Sequence, residues 1–107
     1  MLILPIKKKW FDMILSGEKK EEYREIKPYY TARFKKMWEN SGYWNNYDLY
    51  TVIFRNGYSN NSPMFVAEVS LGLGTGLPEW GAEPGKKYYV LRIHNVYREE
   101  DKDAGCN

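Results

Sequence analysis

Two hydrophobic periods run along the chain, one after the other. Over residues 7–16, Trp10, Phe11, Ile14 and Leu15 fall at i, i+1, i+4 and i+5, a single helical stripe. Gly17 follows where a left-handed residue ends a helix. Pro28 opens a second helical stretch to residue 40, with Tyr30, Phe34, Met37 and Trp38 as its apolar stripe. Ahead of both helices, residues 1–6 form a short apolar strand whose Pro5 suits a sheet edge or a strand end. Residues 41–47 are an aromatic, turn-rich loop.

After residue 47 the period becomes two. Residues 48–55 and 63–71 read as a hairpin around Asn56-Gly57-Tyr58-Ser59-Asn60-Asn61-Ser62. Phe65, Ala67, Val69 and Leu71 share one face, with Glu68 and Ser70 on the other. A glycine-rich loop over residues 72–85 carries Pro78-Glu79-Trp80-Gly81. A last strand, residues 86–96, sets Tyr89, Leu91 and Ile93 opposite Arg92 and His94. The reading is a mainly β domain over residues 1–97, with two helices and about five short strands curled into a small barrel. That shape removes exposed sheet edges. Residues 98–107 form a charged, mobile tail.

One segment breaks the pattern. From Lys19 to Glu25 only Tyr23 is uncharged, so a strand there has charge on both faces and little ordinary core to offer. Such a strand suits the wall of a polar cleft. Glu22 and Arg24, two apart, share a side, whereas Lys19 falls opposite in a regular strand. All three converge only where the strand starts after Lys19 or contains a bulge. Together Glu22 and Arg24 either form a structural ion pair or present acceptor and donors to a base edge.

Composition narrows the chemistry. A net charge of +2, from 16 basic and 14 acidic residues, argues against a lysine-coated, sequence-independent DNA binder, so any nucleic-acid contact is local. The chain has no P-loop, no G-x-G-x-x-G and no C-x-x-C pair. Gly72-Leu73-Gly74-Thr75-Gly76 lacks the lysine and helix start of a phosphate loop and reads as a flexible connector. His94 alone, with no cysteine cluster, gives no metal site, and no cofactor is expected. A single cysteine, Cys106, fits a reducing cytoplasm. The apolar first residues are too short for a membrane span.

Gly17, Lys19, Glu22 and Arg24 stand as G-x-K-x-x-E-x-R after a strand and an amphipathic helix. This arrangement resembles the ASCH domain, a PUA-related family with a small β-barrel and a cleft beside it. The resemblance implies RNA binding, and some relatives are amidohydrolases of acetylated cytidine or ribonucleases. In the amidohydrolase branch the motif lysine works with a threonine three residues later and a glutamate from a distant loop. Lys19 matches the lysine, Glu22 stands at the threonine position without a hydroxyl, and Glu79 is a counterpart for the loop glutamate.

The residues then take roles. Lys19 is a phosphate ligand or, with a lowered pKa, a base or nucleophile. Glu22 and Glu79 are the proton-transfer candidates. Arg24, Arg55, Tyr58 and Trp80 complete a nucleic-acid-binding set, the loop aromatics as stacking platforms. Trp80 alternatively folds back on the core, and Arg55 alternatively faces water. The leading expectation is an RNA- or modified-nucleotide-binding module. A hydrolase of a modified nucleoside or RNA is the second expectation, and a small protein-interaction domain is the third.

Overall fold

The computed structural model describes residues 2–41 and 49–98. Its elements run β1 (Leu2–Ile6), α1 (Lys8–Leu15), β2 (Glu21–Glu25), α2 (Pro28–Ser41), β3 (Tyr50–Asn56), β4 (Met64–Thr75), a 3₁₀ turn (Pro78–Trp80) and β5 (Lys87–Tyr97). The five strands form one mixed sheet in the order β1-β3-β4-β5-β2, with only the β1–β3 pair parallel. The expected barrel-like, mainly β fold with two helices is what the chain adopts, as a half-barrel. The aromatic loop expected over residues 41–47 falls outside the described residues from 42 on, as does the charged tail from 99 on.

The period-two pattern fixes which side of the sheet is buried. Val52 and Phe54 of β3, Phe65, Ala67, Val69 and Leu71 of β4, and Tyr89 and Leu91 of β5 meet Leu4 and Ile6 of β1 in one core. Helix α1 adds Phe11 and Ile14, with the Phe11 ring centroid 4.8 Å from that of Phe65. Helix α2 is anchored by Phe34, fully buried and edge-on to Tyr89 at 5.0 Å. Thr31 Oγ1 and the Tyr89 hydroxyl, 2.6 Å apart, fix the same helix to β5 by a hydrogen bond.

Two features depart from the sequence pattern. Strand β4 continues to Thr75, so the Gly72–Gly76 stretch, expected to be a flexible connector, is largely strand. Its partners are Lys87 to Val90 of β5, which supply ladder hydrogen bonds whatever the side chain. Glycine weakens a strand by propensity, but an adjacent ladder overrides that preference. The second feature is a bulge. Glu68 pairs with Asn95 and Val69 with Ile93, which leaves His94 as the extra residue of β5. Because of it, Ile93 and Val96, three apart, both pack on the core.

The end strands β1 and β2 have no backbone ladder to each other. A side chain crosses that seam instead: Arg24 Nη2 of β2 donates to the carbonyl of Pro5 in β1 at 3.0 Å. Beyond β4 the chain passes close to β2 at Gly76. A Cβ there would lie 2.5 Å from Cζ of Tyr23 and 2.7 Å from Cβ of Ala82, so only glycine fits without displacement.

Phe34 is the main anchor of α2 on the sheet, so Phe34→Ala should lower stability by about 3–5 kcal/mol. Urea denaturation of the two proteins, with the midpoint falling at an unchanged slope, checks this.

Candidate functional site

The residues after α1 set the geometry of the charged segment. Gly17 sits at φ +84°, in the left-handed region, and its amide donates to the Ile14 carbonyl. Two residues on, the Lys19 amide donates to the Met13 carbonyl at 2.9 Å, so Lys19 still belongs to the helix exit. The strand begins at Glu21. Lys19 is thereby released from strand alternation, the condition under which it meets Glu22 and Arg24. Glu22 pairs in register with Leu91, and Arg24 with Tyr89, both core residues of β5. Their polar groups therefore point to the buried side of the sheet.

There they form a chain of charges. Lys19 Nζ lies 2.8 Å from Glu22 Oε1, and Glu22 Oε2 lies 2.8 Å from Arg24 Nη2. The lysine is 1 % exposed and its ammonium also donates to the Trp80 carbonyl at 2.8 Å. The rings of Trp10 and Tyr23 cover it, at 4.6 and 5.2 Å from Nζ to the ring centroids. Arg24 further donates through Nη1 to the Tyr30 hydroxyl at 3.2 Å, while its buried Nε has no hydrogen-bond partner. Two cations thus share one carboxylate in a desolvated place, an excess of one positive charge.

Burial lowers the pKa of Lys19, because desolvation disfavours the ammonium, and the Glu22 carboxylate opposes that shift. Tyr23 is shifted the other way. Burial, assisted by a hydrogen bond to Glu21, pushes its hydroxyl up to about 12. The Leu77 amide, donating to the same hydroxyl at 3.0 Å, pulls against this.

Beside the charge chain an open cleft of about 640 Å³ lies along the seam. Glu22 and Arg24 line it, with aromatic walls from Trp10, Tyr23, Tyr30 and Tyr88. Tyr58 stands at its edge and is 86 % exposed. The Arg55 guanidinium is turned onto its own hairpin loop, donating to the carbonyls of Gly57 and Tyr58 at 3.3 Å each. Trp80 reaches Lys19 through its backbone carbonyl, and its ring is half-buried away from the cleft lining. Glu79 is exposed on the 3₁₀ turn, likewise outside that lining. His94 pairs with Ser70, Nε2 to Oγ 2.9 Å, on the outer face of the sheet.

The structure thus brings Lys19, Glu22 and Arg24 together, sets Tyr58 at the rim, and leaves Glu79 apart. Sequence reasoning missed Trp10, Tyr23 and Tyr30 as cleft walls, along with the lysines at the mouth, Lys7, Lys27 and Lys86. Trp10 was hidden by its place in the α1 stripe, which reads as core. Among the described residues, no three His, Cys, Asp or Glu side chains are grouped as metal ligands. No helix in the same residues is long and apolar enough to cross a membrane.

Removing the shared anion should expose its role. Glu22→Gln leaves Lys19 buried without a counter-charge and should cost about 3–5 kcal/mol near neutral pH. With the folded pKa of Lys19 depressed still further, the unfolded chain binds the extra proton below about pH 10.4. Stability of the variant should therefore rise with pH up to that value, as thermal melts across the alkaline range will show. Tyr23 gives the opposite slope. Its folded pKa exceeds the ordinary tyrosine value near 10, so its contribution is complete below pH 10 and lost towards pH 12. The stability difference between the parent and Tyr23→Phe should shrink across that interval.

No protein-family model, curated protein or solved structure matches the chain.

Proposed function

We propose that the seam cleft binds RNA or a modified nucleotide, and that the chain is an ASCH-type domain of the PUA-related class working in the cytoplasm. The observation that carries this reading is the cleft itself: aromatic walls and a cationic mouth over a fixed, buried ion pair. Its volume of about 640 Å³ falls in the range of about 300–1,000 Å³ usual for small-ligand sites. Aromatic faces accept any unpaired base, and cations at the mouth meet the backbone. In this reading Tyr58 stacks on a base at the rim, and Arg55 keeps its loop in place. Lys19 and Glu22 act from beneath by holding Arg24, and Trp80 contributes its carbonyl rather than its ring.

The salt dependence of binding to short single-stranded RNAs tests it. Affinity should be measurable at low salt and fall as salt rises. Tyr58→Ala should weaken binding about 5- to 150-fold, the equivalent of about 1–3 kcal/mol for one stacked base. No affinity for any RNA sequence at low salt removes the reading.

A hydrolase is the second reading, favoured by one observation: a buried amine of lowered pKa 2.8 Å from a carboxylate beside the cleft. Lys19 would be the base or charge stabiliser and Glu22 its proton partner, while Glu79 would have to approach from its exposed turn. Turnover of acetylated cytidine or of RNA that is lost in Lys19→Ala supports this. Turnover unchanged in that variant, or no turnover at all, excludes it.

A further inference from the structure

Building on the nucleotide-binding reading, we infer that the Tyr30 side of the cleft is a phosphate subsite made by Lys7, Arg24 and Lys27. All three line the cleft. Arg24 and Lys27 converge on one ring: the guanidinium carbon lies 5.6 Å and the Lys27 ammonium 5.5 Å from the Tyr30 ring centroid. Arg24 also bonds the carbonyl of Pro5, two residues before Lys7, which places the β1 end beside the same guanidinium.

The charges on that side are not balanced. Among the described residues, the one carboxylate paired with Arg24 is that of Glu22, and Lys19 already uses its other oxygen. Among the described residues, neither Lys7 nor Lys27 has a carboxylate within ion-pair distance, and both are exposed. The other acids of the cleft belong to its Tyr88 side. Glu25 pairs with Lys86 at 3.7 Å, and Lys86 lies 5.3 Å from the Tyr88 ring. Glu83 is held there through its amide, which donates to the Tyr88 hydroxyl at 3.0 Å.

Lys19, the residue the motif offers as a phosphate ligand, cannot serve directly, since its ammonium is enclosed by Glu22, Trp80, Trp10 and Tyr23. It acts instead on the Glu22 carboxylate, occupying one oxygen while the other holds Arg24. A planar guanidinium with two exposed lysines lining the same cleft suits a phosphate, whose oxygens accept from several directions. That phosphate is either the terminal group of a mononucleotide or a backbone phosphodiester of RNA.

The test compares inorganic phosphate, a nucleoside, its 5′-monophosphate and a short single-stranded RNA, with amide and side-chain NMR shifts as the readout. Chloride at equal ionic strength is the control. Phosphate should shift Lys7, Arg24 and Lys27 saturably, and the monophosphate should bind at least about tenfold tighter than the nucleoside. Lys27→Ala and Lys7→Ala, both at exposed positions, should each erase most of that gain. If backbone phosphodiesters are the source, the monophosphate shows no gain over the nucleoside and each variant instead lowers the RNA salt slope by about 0.7.

Equal binding of nucleoside and monophosphate, with phosphate no better than chloride and no change in the RNA salt slope, overturns the subsite. A phosphate gain that survives both lysine substitutions overturns its placement. Saturable phosphate shifts at the three residues, with no base-bearing compound binding better than phosphate itself, leave the subsite standing and sink the nucleotide reading.

Discussion

The carboxylate of Glu22 is the group on which the arrangement turns. One oxygen holds the ammonium that leaves α1, and the other holds the guanidinium that reaches across to β1. Through Lys19 the same carboxylate is linked to the 3₁₀ turn after β4, because the ammonium also binds the Trp80 carbonyl. A single anion therefore ties together the helix exit, both end strands of the half-barrel and the connection between β4 and β5. Buried charges of this kind add little net stability over an apolar replacement, but removal of one partner is costly. Their effect is to specify a geometry.

That geometry explains why the cleft lies where it does. A sheet that curls without closing leaves two strand edges facing each other, and backbone groups there need partners. Here a side-chain bridge substitutes for the missing ladder, at Arg24 and Pro5. The space between the edges then stays open and polar at its floor, while tyrosines from β2, α2 and β5 form its sides. Pro5, which has no amide hydrogen, suits a strand whose outer edge offers carbonyls to such a bridge.

The candidate site was legible only in part. The charged run over residues 19–25 identified itself, because a half-buried strand has no ordinary reason to carry charge on both faces. Its burial was hidden: Lys19 and Glu22 are among the least exposed side chains, whereas a run of charges usually faces water. Residues that act through the backbone, such as Trp80, leave no trace in side-chain chemistry. Lys7 and Lys27 flank strand and helix ends where lysine is commonplace, so only their place in the cleft lining, with Lys27 over the Tyr30 ring, sets them apart.

The sequence by itself determined the local elements: two amphipathic helices, the hairpin of β3 and β4, the buried face of β5 and the glycine that ends α1. Each follows from periodicity or backbone preference, which act over a few residues. Only the tertiary structure decided how far β4 extends, since Gly72 to Thr75 become strand because β5 lies alongside. It also decided the bulge at His94, the strand order and the meeting of β1 with β2. Those depend on pairings between residues distant in the chain, and so does the protonation balance of Lys19. The energy of a buried charge is set by what surrounds it, and beyond the neighbouring residues 21–24 that shell is completed by Trp10 and the Trp80 carbonyl, which only the fold brings up.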